Sequence, residues 1–165
     1  MKSPHLLLAA SNSHRLRQNL VGILDAQTLK LIDDEISKNA SGIFKLGESH
    51  FDFARTLAKQ YWRQKISRFY YAAYNVTRSL RFLYEGHYSQ DVTDHKKVEV
   101  MPKDFPTTAT YENRLSLLRD DRNLCDYDHT CTEADLIISV KDADVLVAQL
   151  IADARAYFRR RGVTV

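Results

Sequence analysis

The stretch RQKISRFYYAAYNVTRSLRFLYEG, at residues 63–86, constrains the fold of this chain more than any other segment. Apolar side chains recur in it at spacings of three and four, from Ile66 to Tyr84, which is the period of an α-helix. Gly86 follows as a natural helix stop. A helix with such a broad apolar face has to bury it against other elements, so the stretch predicts a multi-helix core.

The N-terminal half carries further helical signals. Apolar residues at 14–38 follow the same spacing, and Asp25 is a candidate cap for a second helix within this region. The segment NASGIFKLG, at 39–47, predicts a break, and Ser49 predicts a new helix start. The first half of the chain is therefore expected to form several helices separated by turns.

The C-terminal half predicts two more helices. Thr110 is the expected cap of the first, while Ser139 is the expected cap of the second, which ends before Gly162. The apolar run LIISV at 136–140 resembles a strand, but a lone strand has nothing to pair with. These signals predict an all-α fold, an antiparallel bundle of about five helices.

Composition excludes several classes of protein. The chain has 165 residues, 44% of them hydrophobic and 27% charged, which predicts one ordinary globular domain over residues 1–165. Two cysteines are too few for a disulfide framework, so a reducing cytoplasm is expected. No apolar run is as long as a membrane span, so no membrane association is expected. The net charge of +3 permits an acidic partner such as RNA without requiring one.

The segment RNLCDYDH, at 122–129, places an arginine on an apolar helix stripe. Arg122 follows Leu115 and Leu118 on that stripe, and a buried arginine needs a partner or an interface. If the helix continued, His129 would lie about 20° from Arg122 around the axis and roughly 10 Å further along it. The two side chains would then converge on one phosphodiester.

An arginine and a histidine suffice for RNA cleavage without a metal. Histidine transfers the proton of the 2′-hydroxyl or of the leaving oxygen, and the guanidinium stabilises charge on the phosphate. Spacing alone favours a plainer alternative, in which Arg122 pairs with Asp126 or Asp121 and His129 is a solvated loop residue. Zinc binding by Cys125, His129 and Cys131 is disfavoured because a second ligand pair is missing, so no metal and no cofactor are expected.

Two segments together resemble the HEPN family of small helical domains. FYYAAYNVTRSLRFLYEG, at 69–86, resembles its aromatic-rich second core helix, and RNLCDYDH resembles its motif of arginine, polar residue and histidine. DHKK, at 94–97, looks like the loop that follows that helix. The resemblance implies a HEPN-like core at 49–161 and an N-terminal helical extension at 1–48.

The resemblance implies an endoribonuclease of the toxin–antitoxin or defence type. Arg122 would stabilise the phosphate, His129 would transfer protons and Asn123 would orient one of them, with Asp126 and Tyr127 supporting the site. The expected partners are RNA and an antitoxin protein of unknown identity. Relatives often carry a tyrosine two residues after the histidine, where this chain has Cys131.

Two other functions stay open at this point. A non-catalytic HEPN-like module would bind a partner protein or a nucleotide, with Arg122 as an interface ion-pair residue. A purely structural helical protein is the third alternative.

The apolar stripe also predicts a symmetric homodimer with the two RNLCDYDH segments facing each other. A monomer would have to bury Arg122 or leave Leu115 and Leu118 in water, whereas a two-fold interface would cover the leucines.

Overall fold

The computed structural model describes residues 12–87 and 97–165. Within these ranges the chain forms five α-helices and two short 3₁₀ turns, and its only β-type pairing is the isolated bridge between Val21 and Leu24. The helices are α1 (Ser13–Asn19), α2 (Ala26–Thr56), α3 (Trp62–Glu85), α4 (Thr108–Tyr127) and α5 (Val140–Arg160). The predicted all-α bundle is confirmed. No helix in the described ranges is long and apolar enough to cross a membrane.

The central element is α3, the helix predicted from the aromatic stretch. It packs against α2, α4 and α5, and residues on every side of it are buried. Gly86 ends it in the left-handed region at φ +71°, as predicted, and its carbonyl accepts a hydrogen bond from the backbone N–H of Ser13 at 2.9 Å. One hydrophobic core therefore runs from Ile32 to Val163 around this helix.

The break predicted at 39–47 is wrong, because α2 is one continuous helix of 31 residues. The predicted helix start at Ser49, and with it the boundary between residues 48 and 49, falls inside this helix. Gly47 does not interrupt α2 but lets it approach α3. A Cβ at this position would lie 2.9 Å from the carbonyl oxygen of Ala72 and 2.9 Å from Cγ2 of Val76.

We expect Gly47→Ala to destabilise the protein. The new methyl group meets backbone atoms of α3, and such overpacking costs about 1–3 kcal/mol. The higher helix propensity of alanine offsets at most about 1 kcal/mol of this cost, so we expect the free energy of unfolding to fall by on the order of 1 kcal/mol. Gly42→Ala in the same helix is the matched control, because nothing lies within 4 Å of its Cβ. The melting temperature should fall for Gly47→Ala and rise for Gly42→Ala. Equal shifts of the two melting temperatures would contradict the explanation by close helix approach.

The predicted helix caps have mixed outcomes. Asp25 caps α2 by accepting from the Thr28 N–H, and Ser139 caps α5 by accepting from the Asp142 N–H, both as predicted. The cap predicted at Thr110 is wrong: α4 begins at Thr108 and its N-cap is Thr107. The helix begins less than one turn earlier than predicted, so the residues of the predicted apolar stripe still lie within it.

The run at 136–140 is not a strand. The carboxylate of Asp121, in α4, accepts hydrogen bonds from the backbone N–H groups of Ile137 and Ile138 at 2.8 Å each. Asp121 is 1% exposed, and its burial raises the pKa of the carboxyl while the two N–H groups oppose that rise. This buried carboxylate joins α4 to the segment that immediately precedes α5.

The reason given for a homodimer is wrong. Leu115 and Leu118 are 0% exposed within a single chain, because α4 packs them into the core against α3. Arg122 is half-buried beside them and has partners within its own chain. Neither Leu115 nor Leu118 therefore needs a second copy of the chain to shield it from solvent.

Candidate functional site

An open groove runs between α3 and the C-terminal end of α4. We call it the α3–α4 groove, and it has a volume of about 720 Å³. It is lined by Arg63, Gln64, Ser67, Arg68, Tyr71, Cys125, Asp126 and Tyr127. Three of these residues, Tyr71, Asp126 and Tyr127, contact Arg122. The sequence-predicted arginine does not line the groove itself but lies directly behind three residues that do.

Arg122 is held by side chains from two helices. Its Nη2 donates to the Tyr71 hydroxyl at 2.8 Å, and its Nη1 donates to Oδ1 of Asn123 at 3.0 Å. Its Nε lies 2.9 Å from Oδ2 of Asp126, close enough for an ion pair. The angle there does not suit a hydrogen bond, so the buried Nε–H has no acceptor. Among the described residues, the guanidinium therefore uses two of its five N–H donors in hydrogen bonds.

The surroundings keep Arg122 charged. Burial lowers the pKa of its guanidinium, but the hydrogen bond to Tyr71 and the charge of Asp126 raise it by more. The guanidinium carbon also lies 5.5 Å from the ring centre of Tyr71 and 5.6 Å from that of Tyr127. Tyr127 is 77% exposed, so its ring leaves a face open to solvent.

His129 does not join this group, because α4 ends at Tyr127. Asp128 is in extended conformation, so the helical projection that brought His129 over Arg122 does not apply. The His129 side chain is exposed, and within the described ranges no hydrogen bond or ion pair joins its ring to Arg122. The plainer alternative thus matches the observed contacts. Arg122 pairs with Asp126, whereas Asp121 accepts a hydrogen bond from the backbone N–H of Ile137.

Arg63 shapes the turn that carries His129. Its Nη1 donates to the carbonyl oxygens of Cys125 at 3.0 Å and Asp128 at 2.6 Å, and its Nη2 donates to that of Cys131 at 2.6 Å and, at 3.4 Å, to that of His129. A cation at a helix C-terminus satisfies carbonyls that the helix leaves open. The fork of Arg63 therefore holds this turn.

We expect Arg63→Lys to loosen the turn. Lysine keeps the charge but lacks the planar fork that reaches several carbonyls at once. Losing these bonds should lower the free energy of unfolding by about 1–3 kcal/mol. Arg159→Lys, at an exposed position near the end of α5, is the control and should have little effect. Chemical denaturation measures the stability of both variants. An unchanged denaturation midpoint for Arg63→Lys would refute the role of Arg63 as a clamp that holds this turn.

The cysteines fit a structural role. Cys125 is 6% exposed, and burial raises the pKa of its thiol to about 12, so the thiol stays protonated near neutral pH. Cys131 is 9% exposed and lies 3.6 Å, Sγ to oxygen, from the carbonyl of Leu124. Across residues 12–87 and 97–165, no group of three or more His, Cys, Asp or Glu side chains is placed to hold a metal ion.

Sequence reasoning missed His50 and Tyr71 as site residues. His50 comes from α2, its Nδ1 lies 3.4 Å from Nη1 of Arg68, and its ring centre lies 5.7 Å from that of Tyr71. Tyr71 belongs to the aromatic stretch of α3, in which its neighbours Tyr70 and Tyr74 are buried in the core. No sequence signal marks His50, since its place in the site depends on how α2 packs on α3.

No protein-family model matches this chain, and comparisons with curated proteins and with solved structures gave no significant match. The HEPN resemblance therefore stays a prediction. Part of it, residues 94–96 of DHKK, lies outside the described residues.

Proposed function

We propose that this protein is a metal-independent endoribonuclease of the toxin or defence type, acting at the α3–α4 groove. The observation that carries the proposal is the state of Arg122. Its guanidinium is bonded to Tyr71 of the groove wall, and its charge is balanced by a single, partly exposed carboxylate. A phosphate in the groove would compete with Asp126 for that charge.

The proposed reaction breaks one phosphodiester bond. The 2′-oxygen attacks phosphorus after losing its proton, the bond from phosphorus to the 5′-oxygen breaks, and that oxygen takes up a proton. His129 transfers protons from its exposed turn once RNA lies in the groove, and Arg122 stabilises the charge on the phosphate. Asn123 and Asp126 orient the guanidinium, and Tyr127 flanks it. The products are a 2′,3′-cyclic phosphate and a 5′-hydroxyl.

We expect RNA cleavage by the purified protein to persist in EDTA, because Arg122 and His129 supply both parts of the chemistry. Arg122→Ala and His129→Ala should each lower the rate about a hundredfold or more. Arg122→Lys should rescue little, since lysine lacks the fork. The measurement is cleavage of total RNA and of tRNA, with analysis of the fragment ends.

Arg159→Ala, which removes an exposed arginine away from the groove, is the control and should cleave like wild type. Melting curves must show that the Arg122 variants are folded, because removing Arg122 leaves Asp126 without its ion pair. Cleavage that stops in EDTA, or His129→Ala at full rate, would contradict the proposal.

The second candidate function is a non-catalytic module that binds a partner protein or a nucleotide. Arg122 is paired with Asp126, and among the described residues neither side chain has a hydrogen bond or ion pair with the His129 ring, which favours this candidate. In this function Arg122 is an interface residue that exchanges Asp126 for an acidic group of the partner. Wild-type protein that leaves every RNA intact, and Arg122 variants that behave identically, would select this candidate.

A toxin role makes a further prediction. Expression in a bacterial host should slow growth, and His129→Ala should relieve the effect because it removes the proton-transfer group. Growth curves at matched soluble protein levels measure this, with Arg159→Ala as the control. Equal growth of wild type and His129→Ala would argue against a toxin. The homodimer also stays a prediction, which light scattering at micromolar concentration tests.

A further inference from the structure

Three helices bring two arginines and a histidine around Tyr71. The tyrosine lies on α3, bonds to Arg122 of α4 through its hydroxyl at 2.8 Å, and contacts the ring of His50 of α2. Arg68, one turn earlier on α3, lies beside His50 and lines the α3–α4 groove. Arg68, His50 and Arg122 thus share one neighbourhood, and all three are half-buried.

The charge of Arg68 has no carboxylate partner. Salt bridges within the described ranges balance Arg122 and several surface arginines, but none includes Arg68. Its guanidinium carbon lies 5.4 Å from the ring centre of Phe53, a contact that fixes the side chain without neutralising it. Among the described residues, no carboxylate therefore compensates this planar cation of the groove.

His50 offers a proton donor to the same place. Arginine only donates, so the contact between Arg68 and Nδ1 makes Nδ1 the acceptor and leaves the ring proton on Nε2. Burial and the charge of Arg68 lower the pKa of His50, which keeps the ring neutral at pH 7. A bound anion would reverse the second of these effects.

These groups suit a phosphate better than a carboxylate. A tetrahedral phosphate presents several oxygens in different directions, which suits guanidinium donors from two helices. Gln64 and Ser67 line the same groove and add uncharged donors. The groove is open, so the phosphate can belong to a chain or be free inorganic phosphate.

We propose that Arg68, His50 and Arg122 form a phosphate-binding site in the α3–α4 groove, which takes a backbone phosphate of RNA. The RNA part rests on the proposed function, whereas the phosphate chemistry does not. Arg68 supplies most of the positive charge, because the charge of Arg122 is already balanced by Asp126. Nε2–H of His50 donates to a phosphate oxygen. The site extends the sequence-predicted cluster by two residues from other helices.

The test is an NMR titration that follows the histidine ring signals. One arm uses inorganic phosphate, and the other uses a short oligoribonucleotide that is 2′-O-methylated throughout, so that it cannot be cleaved. In both arms the His50 signals should move. Arg68→Gln should weaken binding about tenfold or more, as expected for the loss of a charge-assisted contact. His50→Gln should weaken it less, and the control Arg159→Gln should leave it unchanged.

Arg68→Lys guards against misfolding, because it keeps the charge and should retain most of the inorganic phosphate binding. The site would be overturned if Arg68→Gln and His50→Gln both bound phosphate with unchanged affinity. It would also be overturned if the His50 signals of the wild-type protein did not move during the titration. Tight binding of inorganic phosphate without binding of the oligonucleotide would overturn the RNA assignment alone.

The outcome for the site is separable from that for cleavage. Phosphate binding that depends on Arg68, in a protein that cleaves no RNA, would keep the site and reject the nuclease. RNA cleavage with unchanged kcat/KM by Arg68→Gln and by His50→Gln would keep the nuclease and reject the assignment of RNA to the site.

Discussion

The close contact between α2 and α3 at Gly47 is the constraint on which the rest of the structure depends. With no side chain there, the helix backbones approach until a Cβ would touch Ala72 and Val76. His50 is three residues further along α2, less than one helical turn away. Its distance from Arg68 and Tyr71 is therefore set by the same contact, so the packing that buries α3 also places a histidine beside the groove.

Three arginines near the groove have different uses, and their surroundings decide which. Arg63 lies under the end of α4 and uses its fork on backbone carbonyls. Arg122 donates hydrogen bonds to Tyr71 and Asn123 and forms an ion pair with Asp126. Arg68 rests on Phe53 and keeps its charge uncompensated among the described residues. A guanidinium is both a charge and a rigid set of donors, so only the partners within reach decide which property is used.

The end of α4 explains why the predicted pairing of Arg122 with His129 is not observed. Helical projection across seven residues requires the helix to continue, but Arg63 draws the carbonyls of Cys125, Asp128 and Cys131 towards one guanidinium. That arrangement favours a tight turn over another helical turn. Asp128 reinforces it by accepting from the backbone N–H and the hydroxyl of Thr130. The clamp comes from 62 or more residues earlier in the chain, so local sequence around His129 contains no sign of it.

The sequence by itself determined the helices whose signals are local. The period of apolar residues in α3, the caps at Asp25 and Ser139, and the stop at Gly86 depend on neighbours a few residues apart, and all are as predicted. Only the tertiary structure decided the role of Gly47, which by local signals breaks a helix but here lets two helices touch. It also decided which histidine lies near the arginines, because His50 and Arg68 are 18 residues apart and on different helices. Periodicity and capping are properties of one segment, whereas a groove between helices exists only once the core has fixed their distance and rotation.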